Sequence, residues 1–259
     1  MQVQRWGLRS LPGIMSIASA CLLVLGAVTV HANEQRPTVI ELFTSQGCSS
    51  CPPADRLLNK LAERKDVIAL TLAVSYWDYL GWKDTLASPE HNERQRRYAK
   101  LADRSGVYTP QVIVNGLEHC VGSNLAAIEE AITKTAPTLA AARVSLSAER
   151  RSGRLAIAAG DAPEGSAVRG ARVLVMAAER EVSVAIQRGE NAGERVTYSN
   201  VVRKITDAGR WTGQAATFDL PLDKVRGDNT DLLFVLLQDD KTGAIIAATQ
   251  IERPTKAQL

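Results

Sequence analysis

Apolar and polar positions follow two regimes along the chain, and the change falls near Arg143. Before it, long apolar runs are separated by amphipathic stretches. Residues 38–43 and 66–74 are rich in β-branched and apolar side chains and read as buried strands; the nearly unbroken apolar character of the second fits a central parallel strand covered on both faces. Between them, Leu57, Leu58 and Leu61 mark the buried face of a helix starting at Pro52 or Pro53, with Cys51 and Pro52 held out of helical geometry by the proline that follows each. Ser88 and Pro89 read as N-cap and first position of a polar helix reaching Leu101. Residues 111–114 then run into an Asn115-Gly116 hairpin turn, with 117–121 returning. A helix capped by Ser123, with Leu125, Ile128, Ala131 and Ile132 on its buried face, closes this part before Pro137.

From Arg143 on, short strand-like runs alternate with glycine-marked turns: 144–148, 155–159, 171–177, 182–186, 196–202, 216–220, 232–238 and 245–251. Such spacing predicts an antiparallel sandwich or barrel-like second domain. The expected organisation is therefore 33–138 for an α/β domain and 139–259 for an all-β domain, joined without a flexible linker.

The first 32 residues carry another pattern: Arg5 and Arg9 give a basic start, 14–30 is apolar, and Val30-His31-Ala32 offers a small-residue cleavage site. This is the layout of an export signal. An uncleaved anchor is the alternative, since 11–30 matches the roughly 20 residues a membrane span needs; Pro12, Gly13 and the alanines and serines that dilute the run favour cleavage. Removing Arg5 and Arg9 leaves 29 basic against 28 acidic side chains, a net of +1. Neither nucleic acid nor an anionic membrane is called for as a partner of the mature form. The cysteines that remain are Cys48, Cys51 and Cys120. An odd count in a periplasmic or secreted protein suits a redox pair better than a disulfide scaffold.

Cys48-Ser49-Ser50-Cys51 lies where the first strand gives way to the first helix. Backbone N–H groups at a helix start stabilise a thiolate, and the two-residue gap lets the second sulfur close a small ring or resolve a mixed disulfide. The same spacing is half of a zinc site, but the chain has no second such pair and no paired histidines, and His91 and His119 are too scattered for a metal. No cofactor is called for. Cys48, on the loop side, is expected to be the more exposed, attacking sulfur, and Cys51 the buried, resolving one. Cys120 reads as a small buried hydrophobe or a third thiol, and Arg94, Arg96 and Arg97 as a solvated helix face. The aromatic loop at 75–84 should emerge at the same sheet edge, so Trp77, Asp78 and Trp82 are candidate walls of a substrate groove, with packing beneath a long loop as the alternative.

The order of elements up to residue 136 resembles the thioredoxin fold. That resemblance implies an α/β thioredoxin-like domain followed by an all-β antiparallel sandwich-like domain. It implies a cis-proline at Pro110 that presents the Thr109 backbone to an extended substrate, and it puts Glu41, seven residues before Cys48, near the position where that fold keeps a buried acid to shuttle the resolving thiol's proton; a solvent-facing or salt-bridged strand glutamate is the other reading. Ser49-Ser50 departs from the Gly-Pro and Pro-His pairs of better-known members. More narrowly, residues 41–55, Tyr76-Trp77-Asp78, Gly81-Trp82-Lys83-Asp84 and Tyr108-Thr109-Pro110-Gln111 resemble a bacterial exported family catalogued as domain of unknown function twelve-twenty-three. The expected activity is thiol-disulfide exchange with a protein or small-molecule thiol substrate and a redox partner. A non-catalytic thioredoxin-like binding scaffold is the main alternative, and a copper-handling thiol protein a weaker one.

Overall fold

Strand β1 (Thr38–Thr44) sends Val39 and Phe43 to one face and Ile40 and Leu42 to the other, and all four are buried, so both faces of the strand are covered. The computed structural model describes residues 1–3 and 37–252; beyond its first three residues, the export signal read at 1–32 lies outside them. Helix α1 (Pro52–Ala62) packs Ala54, Leu58 and Leu61 against Ile40 and Leu42. Its N-cap, Cys51, is already in the α region at φ −81° and ψ −36°, against the expectation from Pro52. The Cys51 carbonyl accepts from the N–H groups of Ala54 and Asp55 at 2.8 and 3.1 Å, and these first-turn bonds offset the steric preference.

Strand β2 (Val67–Ala73) is buried throughout and parallel to β1. Helix α2 (Pro89–Leu101) is capped by the Ser88 hydroxyl, which accepts from the Glu90 N–H at 3.2 Å. Strands β3 (Gln111–Val114) and β4 (Glu118–Val121) are joined by the Asn115-Gly116 turn, with φ of 51° and 71°. Helix α3 (Leu125–Ala142) is capped by Asn124, one residue later than expected, and runs through Pro137 instead of ending before it. Burial of Leu139 and Ala142 beyond the proline sustains the extra turn.

The remaining strands are β5 (Leu146–Arg151), β6 (Arg154–Ala159), β7 (Ala171–Ala185), β8 (Arg195–Trp211) and β9 (Ala216–Pro221); after the short helix α4 (Leu222–Val225) come β10 (Leu232–Asp239) and β11 (Ile245–Glu252). Strands β5, β6 and β9 form a small antiparallel sheet. The others do not build a separate all-β domain. They join the first half in one eight-stranded mixed sheet of order β11-β10-β7-β8-β2-β1-β3-β4, which overturns the expected thioredoxin-like domain followed by an independent sandwich. The cause is at the β2–β8 seam. Thr71 pairs with Val201 in parallel, the Thr71 hydroxyl donates to the Ser199 carbonyl at 2.7 Å, and the Asn200 side-chain amide donates to the Ala69 carbonyl at 2.9 Å. Strand β10 is covered on both faces, as its sequence predicts, with Leu233, Val235 and Leu237 toward the small sheet's core and Leu232, Phe234 and Leu236 toward the core shared with α2. Among the described residues no helix is long and apolar enough to cross a membrane.

A buried polar knot ties β1, α2 and β10 together. Arg94 donates to both carboxylate oxygens of Glu41, at 2.5 and 3.1 Å, and to Gln238 at 3.0 Å; the Tyr98 hydroxyl donates to Glu41 and accepts from the Gln238 side chain at 2.9 Å. Arg94 therefore does not belong to a solvated face, although Arg96 is exposed. Removing one partner of a buried pair strands the other charge. Glu41→Ala should cost about 3–5 kcal/mol in urea unfolding, and adding Arg94→Met to it should recover part of that loss; equal stability of Glu41→Ala and the native chain would contradict this role.

Candidate functional site: a covered cysteine pair

Cys48 and Cys51 form a disulfide with Cα atoms 5.4 Å apart. The loop that carries it is closed by its own backbone: the Cys48 N–H donates to the Ser45 carbonyl and the Cys51 N–H to the Cys48 carbonyl, each at 3.1 Å. Ser50 places its hydroxyl 3.4 Å from the Cys48 sulfur. Cys48 is the more exposed of the two sulfur-bearing residues only by a narrow margin, 2 % against 0 % for Cys51, and both are buried. The flanking Ser49 and Ser50 are exposed, so the loop reaches solvent while its sulfurs do not.

The aromatic loop does meet the cysteine loop. Asp84 accepts from the Gln46 and Leu86 N–H groups at 2.7 and 2.8 Å, and the Trp82 indole donates to the Gln46 side chain at 2.8 Å. Trp77 backs onto Gly47, where a Cβ would lie 3.1 Å from the Trp77 Cβ, so a larger residue there would push the two loops apart. Its indole donates to the Thr109 hydroxyl at 2.7 Å. Asp78 is used within its own turn, accepting from the Asp84 N–H at 3.1 Å. Tyr79, which sequence reasoning passed over, stacks on Trp77 and is 77 % exposed. The Thr109-Pro110 bond is cis, and Pro110 is buried beside Gly122, which also faces Ala54 in the first turn of α1.

Glu41 is held by Arg94 and Tyr98, so the salt-bridged reading of that residue describes its surroundings. The acid near the pair is Asp55, one helical turn after Cys51. It is 2 % exposed, and neither carboxyl oxygen has a hydrogen-bond partner among the described residues. Burial pushes its pKa up to about 8, the Asp84 charge adds to the shift, and Thr44 and Arg56 oppose it, Thr44 without reaching hydrogen-bond geometry. Asp84 is itself raised by burial, and the Tyr198 phenol is raised by burial and by both acids. Asp55 was legible in principle: with Cys51 and Leu58 it occupies one helical stripe, an acid where an apolar residue belongs.

Cys120 is half-buried on β4, and burial pushes its thiol up to about 11, which keeps it protonated and a poor nucleophile. His91 is buried against the Ala73 carbonyl at 2.8 Å and is pushed down to about 4 by burial, so it is neutral and structural. His119 is exposed beside Arg104 and Tyr108. Among the described residues, no three His, Cys, Asp or Glu side chains gather to hold a metal.

The second half of the chain supplies a cover that no local motif signals. From the β7–β8 tip, the Asn191 side-chain amide donates to the carbonyls of Gln46 and Cys48, both at 2.9 Å, and the Glu190 carboxylate accepts from the Ser49 N–H at 3.3 Å. Gly189 abuts Trp82, with a Cβ position 3.1 Å from the Trp82 Cβ.

A profile described as a protein of unknown function, DUF1223, matches residues 39–238. No curated protein matches the chain. An X-ray structure of a protein from Agrobacterium tumefaciens is 34 % identical, with a TM-score of 0.73, covering 86 % of this chain and 96 % of that one. HBP35 of Porphyromonas gingivalis is similar in fold at 14 % identity and a TM-score of 0.57, covering 84 % of this chain and 75 % of its own.

The raised Asp55 pKa has a defined sign in stability. Between about pH 4 and 8 the folded protein keeps a proton that the unfolded chain has lost, so this group's contribution to stability falls as pH rises through that window and is level above it. Asp55→Asn should therefore gain stability relative to the native chain from pH 4 to pH 8 in urea midpoints. A constant difference across that range would show an ordinary carboxyl.

Proposed function

We propose that this chain, which belongs to the DUF1223 family of proteins of unknown function, is a thiol-disulfide oxidoreductase of the periplasm or extracellular space that acts on cysteines of a protein or small-molecule substrate. The observation that carries this reading is the Cys48–Cys51 disulfide closed at the N-cap of α1, with the Ser50 hydroxyl on the Cys48 sulfur. A helix start and a hydroxyl donor both favour a thiolate at Cys48 once the bond opens. Cys48 is the sulfur that substrate engages, and Cys51, at 0 % exposure, is the internal thiol that releases it. Asp55 keeps its proton at neutral pH one turn from Cys51 and can supply it to the departing thiolate. Thr109, tied to Trp77, and the exposed Tyr79 flank the same loop and offer an edge for a substrate chain. A reductant or oxidant of the exporting compartment resets the pair.

A second reading, a scaffold with an inert structural disulfide, draws on the near-complete burial of Cys48. Trapping in cells separates the two. Cys51→Ala should accumulate mixed disulfides that dithiothreitol dissolves, and Cys48→Ala should give none. Absence of adducts from both variants under native expression would favour the scaffold, and adducts from Cys48→Ala would reverse the roles.

A further inference from the structure

The β7–β8 tip is built as a self-contained turn. Ile186 and Glu194 close it through an N–H to carbonyl bond at 2.9 Å, the Gly193 N–H donates back to the Ile186 carbonyl at 2.9 Å, and the Ala192 N–H to the Gly189 carbonyl at 3.2 Å. The arms that carry it are long. β7 pairs with β10 only from Ala171 to Ala178; from Glu179 onward its strand partner is β8 alone. Beyond its base, where Ile186, Val196 and Tyr198 pack with Ala73 and Leu86, the turn at 187–193 can lift without breaking strand pairing of the main sheet.

What it touches decides what it does. Asn191 is 7 % exposed and spends both side-chain N–H donors on two carbonyls of the cysteine loop, while Glu190 accepts from the Ser49 N–H that follows the second of them. N–H donors and a carbonyl-type acceptor are the groups that a polypeptide backbone also carries, so an incoming chain can replace these bonds. We propose that the tip occupies the substrate's place: Asn191 and Glu190 hold the backbone groups of Gln46, Cys48 and Ser49 that an extended segment carrying the target cysteine takes over when it reaches Cys48. This rests on the reading of Cys48–Cys51 as an exchange centre, and it names the substrate class as cysteine-bearing polypeptide. In the exchange, the peptide thiolate attacks the Cys48 sulfur, the Cys48–Cys51 bond breaks, and its electron pair leaves on Cys51, which takes up a proton. The peptide's own proton has gone to solvent, and no net oxidation occurs in this step. Asn191 and Glu190 are positioning residues in it.

The test uses the purified chain with its disulfide closed, challenged by a short cysteine peptide, by the same peptide N-methylated at the amides flanking the cysteine, and by dithiothreitol. Opening is read by acid quench, unfolding and alkylation of released Cys51. Asn191→Asp, which keeps the shape but donates nothing, and Asn191→Ala, which controls for the added charge, should both speed opening by the free-amide peptide about tenfold. Glu190→Gln, which keeps an acceptor oxygen, should do less. N-methylation should slow the peptide in every variant and leave dithiothreitol the reference. The acceleration should show a shallow urea dependence, as a local opening does. Unchanged rates in both Asn191 variants, equal rates for the two peptides, or a urea slope equal to that of global unfolding would each overturn the proposal. If tip release accelerates exchange while cells yield no trapped partner, the oxidoreductase reading fails alone; if partners are trapped and the Asn191 variants behave as native, the tip proposal fails alone.

Discussion

The β2–β8 seam determines where everything else lies. It has a single bridging residue pair, and two side chains do the work of a ladder: the Thr71 hydroxyl on the Ser199 carbonyl and the Asn200 amide on the Ala69 carbonyl, at 2.7 and 2.9 Å. Asn200 adopts φ 48°, a left-handed conformation that asparagine tolerates better than most residues, and this orients its amide across the seam. Asn59 of α1 adds a bond to the Thr197 carbonyl at 2.8 Å. With β8 held in this register, the outer half of the β7–β8 hairpin passes over α1 and its tip lands on the cysteine loop.

Two buried acids show how differently one residue type behaves in one sheet. Glu41 sits on the α2 face with its charge matched by Arg94, and its surroundings make it part of the frame. Asp55 is buried on α1, with Thr44, Asp84 and Tyr198 around it and no matching cation at hydrogen-bond range, and it responds by keeping its proton. A charged Asp55 would be costly there, and a neutral one is not. Asp84, held by the Gln46 and Leu86 N–H groups, is raised as well, and its charge helps keep Asp55 neutral.

Much of the first half was legible because its signals are local. The apolar runs of β1 and β2, the Ser88-Pro89 start of α2 and the Asn115-Gly116 turn each lie within a few residues of what they specify. The cysteine pair was legible from its own spacing, and the cis bond before Pro110 from a resemblance in the order of elements. The shared sheet was not, because Thr71 and Val201 are far apart in sequence and the runs at 171–177 and 182–186 gave no sign of being one strand of 15 residues. Arg94 misled because α2 is polar on most sides and its partner lies on another element. Asn191 and Glu190 carry no motif; only the fold brings them to Cys48.

The central claim is that the covered disulfide is a reversible centre and not a staple. Equilibrating the purified chain against graded glutathione redox buffers, and counting alkylated Cys48 and Cys51 by mass, tests it directly. A reversible two-electron transition with a midpoint between about −270 and −120 mV is the expected result. A pair that stays oxidised until the poise falls below about −300 mV would be a structural disulfide and would contradict it.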